Sequence, residues 1–193
     1  MKCFIFCGFL LLFIFVFPNT SNAQVLRIKG GANVSTIGGD AQGNKYKMGF
    51  HCGIAGILEI SNELQIQPEL LLSGQGTRPT EYIASNYWYL NSPILLTYKT
   101  PQYTLHAGPQ VGLLLGARIR NRETGSDEVV TTQVNNLDFS LAMGVEIPLT
   151  NKFAVQGRYN YGISNTAGHN AVGDLKFFNR VIQLSLILNL CDK

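Results

Sequence analysis

From Met48 to Gln75 the chain alternates with a period of two. Met48, Phe50, Cys52, Ile54, Leu58 and Ile60 are apolar, and Lys47, Gly49, His51, Gly53, Ala55 and Glu59 between them are polar or small, with Ile57 the exception. After Ser61-Asn62-Glu63 the alternation resumes, with Leu64, Ile66, Pro68, Leu70 and Leu72 opposite Gln65, Gln67, Glu69, Ser73 and Gln75. Successive side chains of a strand point to opposite faces, so this period predicts two strands, and the short polar break between them predicts a hairpin. The runs reach about 11 to 14 residues against about 5 or 6 for a soluble strand, a length suited to crossing hydrocarbon at a tilt.

The same pattern recurs along the chain. A first strand is expected from Leu26 to Ile37, a fourth from Tyr87 to Lys99 and a fifth from Tyr103 to Arg118. A sixth begins at Leu137, a seventh spans Phe153 to Ser164 and an eighth Phe177 to Leu190. In the fifth, Tyr103, Leu105, Ala107, Val111, Leu113 and Leu115 should share a face opposite Thr104, His106, Gln110 and Arg118. The connections alternate long and short. Gly38 to Tyr46, Gly76 to Asn86, Ile119 to Asn136 and Asn165 to Lys176 are long, whereas the breaks at Ser61, Thr100 and Thr150 are tight. Long loops at one end and short turns at the other are the order of a membrane barrel. The predicted fold is therefore all-β, an eight-stranded antiparallel up-and-down transmembrane β-barrel. Phe50, Trp88, Phe139, Tyr161 and Phe178 should mark its outer interface, and Tyr98, Tyr103 and Phe153 its inner one. Pro68, Pro93 and Pro109 fall inside strands, where a missing amide leads one to expect bulges.

Composition extends this picture. Of 193 residues 46% are hydrophobic and only 14% charged, which suits one domain with a substantial core. Lys2, the apolar run Cys3 to Phe17 and the small residues at Ser21-Asn22-Ala23 read as a secretory signal peptide over residues 1–23, cut before Gln24. The barrel domain is then 24–193, or 193 − 23 = 170 residues, and loss of Lys2 lowers the net charge from +3 to +2. So small a charge gives no reason to expect nucleic acid as a partner. Cys3 and Cys7 leave with the signal, and Cys52 and Cys191 are not placed for a disulfide. No zinc spacing is present.

The inward faces carry Arg27, Lys29 and Arg158 and also Glu59, Glu69 and Glu146. An eight-stranded barrel is just wide enough for side chains to fill it, and buried charges must be paired, so these six should form an interior ion-pair network. Hairpin register places Arg158 near Glu146. No nucleophile elbow, zincin helix or phosphate-cradling glycine loop occurs, so no catalytic, cofactor-binding or metal residues are assigned. His51 and His106 face inward at different heights. The only set an enzyme could use at the outer rim is His51, Arg118, Asp138 and His169.

Several segments resemble the PorT-like outer-membrane β-barrel family, typical of Bacteroidota. They are Leu64 to Ser73 with Gly76, Pro93-Ile94-Leu95-Leu96-Thr97-Tyr98-Lys99, Ala107-Gly108-Pro109 to Leu115, Arg158-Tyr159-Asn160-Tyr161-Gly162 and Asn179-Arg180-Val181. The chain departs from that family in ending Leu190-Cys191-Asp192-Lys193 instead of on an aromatic residue. The resemblance implies the outer membrane of a Gram-negative bacterium as location, export by the signal peptide, and in-strand prolines as family features. The leading expectation is a non-enzymatic monomeric barrel in contact with membrane lipids, structural or binding a protein partner through its outer loops, chiefly the Ile119 to Asn136 loop. An accessory role in type IX-like protein secretion is the alternative that the resemblance implies. A soluble lipocalin-like ligand-binding barrel is another, and it requires the opposite arrangement of faces.

Overall fold

The computed structural model describes residues 25–40, 45–79, 82–121, 123–131, 134–166 and 176–190. The expected signal peptide, His169 and the Cys191-Asp192-Lys193 ending lie outside the described residues. The strands are β1 (Val25–Gly39), β2 (Lys47–Glu59), β3 (Leu64–Thr77), β4 (Ile83–Lys99), β5 (Thr104–Asn121), β6 (Asp127–Val129), β7 (Leu137–Pro148), β8 (Phe153–Gly162) and β9 (Phe177–Asn189). Eight long strands pair in the order β1-β2-β3-β4-β5-β7-β8-β9, each antiparallel to its neighbours, and β9 returns to β1 to close the barrel.

The three tight turns are built alike. Ser61 Oγ accepts from the Leu64 amide, Thr100 Oγ1 from the Tyr103 amide and Thr150 Oγ1 from the Phe153 amide, at 3.0–3.1 Å. A hydroxyl that satisfies the amide three residues on fixes the chain reversal locally and so sets the hairpin register.

The faces fall as the alternation requires. Ile182, Leu184, Leu186, Val145 and Phe50 are exposed on the outside of the wall, whereas Glu69, Arg158 and Lys29 are buried in the lumen. A soluble ligand-binding barrel would be inverted. Ile57, which broke the alternation, lines the inner mouth, where polar and apolar side chains both have room. Phe50 and Trp88 meet edge to face at 5.3 Å in the outer aromatic group, and Tyr98, Tyr103 and Phe153 are exposed near the tight turns.

Three expectations need correction. The prolines do not sit at bulges. The β2–β3 pairing lapses between Ala55↔Glu69 and Leu58↔Ile66, beside Pro68, and resumes in the same register. The β3–β4 pairing lapses beside Pro93, between Pro68↔Ile94 and Leu71↔Asn91. The β4–β5 pairing lapses beside Pro109, between Pro93↔Gln110 and Leu96↔Ala107. Proline removes an amide, but its fixed φ is compatible with extended chain, so the ladder is interrupted and the register survives. The register shift lies instead between Trp88↔Gly116 and Tyr89↔Leu114, which leaves Leu115 as an extra residue of β5.

The second correction follows from that bulge. Inward positions on β5 are even as far as Leu114 and odd from Ala117, so Arg118 is exposed outside and does not share the face of His106 and Gln110. The third concerns loops. β3 runs to Thr77 and β4 begins at Ile83, so the connection expected from Gly76 to Asn86 is mostly strand. The connection expected from Ile119 to Asn136 is likewise partly strand, because Arg118, Ile119 and Arg120 pair with Val129, Glu128 and Asp127 of β6.

Candidate functional site

The lumen is layered. At the inner mouth a cavity of about 590 Å³ is lined by turn residues and floored by Arg27, Gln67 and Glu146. Arg27 comes from β1, Glu146 from β7 and Gln67 from β3, so the floor ties distant strands together. Arg27 donates to both carboxylate oxygens of Glu146, to Gln67 Oε1 at 3.3 Å, and through Nε to Asn189 Oδ1 at 2.8 Å. Gln156, directly opposite Glu146 in the β7–β8 hairpin, donates to Glu146 Oε2 at 3.5 Å.

Above the floor lies the main ion pair. Arg158 on β8 donates through Nη1 and Nη2 to the two oxygens of Glu69 on β3, at 2.7 and 2.6 Å. These strands are four steps apart round a ring of eight, so the pair spans the diameter. The expected Arg158–Glu146 contact is thereby corrected. Arg158 stands opposite Gly144, two residues short of Glu146, and its guanidinium reaches across the lumen to Glu69 instead. A Cβ at Gly144 would come 2.6 Å from His106 Nε2. Arg158 Nε donates to that nitrogen at 3.4 Å.

Lys29 donates to Gln156 Oε1 and reaches Glu69 Oε2 at 3.5 Å, while Gln67 donates to Glu69 Oε1 at 2.6 Å. Of the six charges expected inside, five are in the floor and this layer together. The exception is Glu59, which is exposed at the inner mouth because β2 ends there. Carboxylates taken out of water are tolerated only when paired and hydrogen-bonded, and both Glu69 and Glu146 meet that condition.

The next layer is neutral. Asn33, His51, Ser73, Asn91, Gln110, Ser140, Asn160 and Gln183 face inward, one from each long strand. His51 bonds Asn33 Oδ1 at 2.6 Å and Ser185 Oγ at 2.8 Å, and Asn33 donates to Ser73 Oγ at 2.9 Å. On the other side of the ring Asn91 Nδ2, Gln110 Oε1 and both amide atoms of Asn160 have no protein partner. At the outer end Tyr89, Leu114, Ala117 and Val130 pack into an apolar plug, flanked by Tyr87, Ile119 and Val134. The bulge at Leu115 makes this plug, since it turns both Leu114 and Ala117 inward. Val130 is contributed by the β6 hairpin, its amide bonded to the Ala117 carbonyl at 3.0 Å.

The rim set is not assembled among the described residues. His51 is committed to Asn33 and Ser185 deep in the lumen. Asp138 accepts from Ser164 Oγ at 2.9 Å and Asn179 Nδ2 at 3.3 Å, and Arg118 is exposed above the bulge. Among the described residues no group of three or more His, Cys, Asp or Glu side chains is placed to hold a metal. Sequence reasoning missed the plug, whose only signal was the unusual run Leu113-Leu114-Leu115, apolar on both faces.

The comparisons with known proteins agree with this architecture. The barrel is similar to Ail, the attachment invasion locus protein of Yersinia pestis, at 14% identity, covering 86% of this chain and 98% of that one, with a TM-score of 0.53. It is also similar to Neisserial surface protein A at 12% identity, covering 88% and 100% of the two chains, with a TM-score of 0.59. At such identities the likeness shows the fold. No curated protein matches the chain. Residues 22–168 match the family described as outer membrane protein beta-barrel domain, and with a closed eight-stranded wall that is apolar outside and polar within, the chain belongs to that family of integral outer-membrane barrels.

Proposed function

We propose that the protein is a non-enzymatic, monomeric outer-membrane barrel with a filled interior, which reinforces the envelope and presents its outer loops to a protein partner. One observation carries this reading. The side chains of Lys29, Glu69 and Arg158 have no solvent-accessible surface, so the middle of the lumen admits no water-sized path. The protein then has its two ends and its lipid-facing wall with which to act. At the outer end the β5–β6 hairpin exposes Arg118, Arg120, Asp127 and Glu128 on a strand-paired scaffold, a better platform than a free loop because less ordering entropy is lost on contact. Export by cleavage of residues 1–23 belongs to the same reading, and N-terminal sequencing of the envelope form should begin at Gln24.

The test has two arms. Liposomes carrying the protein should show no swelling in small sugars, and porin-like flux would overturn the closed lumen. Loss of the protein should sensitise cells to detergent. Restoration by the full chain but not by a chain with residues 119–129 shortened supports loop-mediated binding, whereas equal restoration by both leaves the barrel wall as the functional part.

A second reading, an accessory role in PorT-like protein secretion, is supported by the motif segments Leu64 to Ser73, Pro93 to Lys99 and Ala107 to Leu115, which form three consecutive walls of the barrel. Under it, loss of the protein traps secreted cargo in the periplasm.

A further inference from the structure

Arg180 is a cation on the outer wall. It lies on β9 in phase with Ile182, Leu184 and Leu186, all of them exposed outward. An arginine is costly at the centre of the hydrocarbon and nearly free at its edge, so its height matters. Arg180 is 189 − 180 = 9 residues from Asn189, the inner end of β9. At about 3.4 Å per residue and a tilt of about 40° this is about 23 Å along the barrel axis, close to the top of an apolar band about 25 Å tall. Arg180 therefore stands at the outer headgroup level, within the outer aromatic group.

Its guanidinium is held in place. Its carbon lies 3.7 Å from the centroid of the Tyr161 ring and 5.6 Å from that of Phe178. Nη1 donates to the carbonyls of Gly162 at 2.7 Å and Asn179 at 3.1 Å. The stem crosses Gly38 of β1, where a Cβ would come 3.7 Å from Arg180 Cγ. The ion pairs formed among the described residues do not include Arg180, and Asp138 is turned into the lumen, where it accepts from Ser164 and Asn179. The Nε and Nη2 edge, three of the five donors of the fork, has no partner among the described residues. A charge this well positioned at the depth of lipid headgroups, with no counter-ion among the described residues, is built to take an anion. A guanidinium fork matches the oxygens of a phosphate in a two-pronged contact that a point charge cannot make.

We propose that Arg180, on its Tyr161 and Phe178 platform, binds the phosphate of an outer-leaflet lipid. The inference rests on the outer-membrane reading, and the experiment separates the two. The mature protein is folded into vesicles, checked by heat-modifiable gel migration, and extracted with bis-phosphorylated lipid A or with dephosphorylated lipid A of the same acyl chains. Retention is read by native mass spectrometry. A charge-assisted contact of about 1.5–3 kcal/mol should give the native protein a preference for the phosphorylated lipid of about tenfold or more. Arg180→Gln should abolish the preference, Arg180→Lys should keep part of it, and Tyr161→Leu should weaken it with the charge intact. Equal retention of the two lipids, or a preference unchanged in Arg180→Gln, overturns the site. Displacement by millimolar inorganic phosphate overturns the assignment to a lipid. Failure to insert into vesicles overturns the outer-membrane reading instead.

Discussion

In its inner half the lumen is filled by Arg27, Lys29, Arg158, Glu69 and Glu146, whereas at its outer end Tyr89, Leu114, Ala117 and Val130 pack against one another. Both fillings exclude water, by different physics. The ionic layer links strands on opposite sides of the barrel through donors and acceptors of fixed geometry, and a slip of one residue would leave a charge unpaired. The apolar plug tolerates adjustment but exists only because a bulge changes the phase of β5. The difference leads us to expect that the ions specify register while the plug supplies cohesion. Replacing a buried ion pair by well-packed apolar groups is often neutral, whereas removing one partner is costly.

The largest effect should come from breaching both layers. A chain carrying Arg158→Ala and Glu69→Ala together with Tyr89→Ala and Leu114→Ala should conduct ions across a planar bilayer. Either pair alone should stay silent, and conductance in one of them would show that a single layer does all the sealing. Next, Arg158→Met leaves Glu69 with Lys29 at 3.5 Å as its remaining cation. Unfolding in urea, followed by heat-modifiable migration, should reveal a loss of about 3–5 kcal/mol. Adding Glu69→Met should recover much of it, and an unchanged unfolding midpoint in the single variant would count against the network. Leu114→Ala, which removes volume without stranding a charge, should cost about 2–3 kcal/mol in the same assay. The smallest effect is expected at Asn160, whose amide atoms have no protein partner. Asn160→Leu should lie within about 1 kcal/mol of the native protein, because no made hydrogen bond is lost, and a large destabilisation would reveal a partner.

Much of this contrast was legible in the chain. Strands β2, β3, β7, β8 and β9 begin where the alternation begins, since a wall with lipid on one side and packed polar groups on the other forces every second residue to be apolar. The charges of the inner layer were legible for the same reason, with Glu59 misjudged because alternation gives a face but not a height. Pairing across the diameter was not legible. Hairpin register relates neighbours, and Arg158 and Glu69 are 158 − 69 = 89 residues apart on opposite walls. Nor was the plug, because one extra residue at Leu115 converts a two-faced apolar run into an inward Leu114 and Ala117, and nothing local marks which leucine is extra. The prolines mislead in the other direction, since a residue that cannot donate interrupts the ladder without having to be bypassed by a bulge.

Those prolines give the cylinder a grain. The pairings of β7, β8, β9 and β1 run without a gap, while each junction from β2 to β5 is missing rungs beside Pro68, Pro93 or Pro109. Under lateral squeeze from a crowded bilayer the rungless side, with fewer ladder hydrogen bonds to bend, should yield first, so where three imino acids fall sets the direction in which the wall gives.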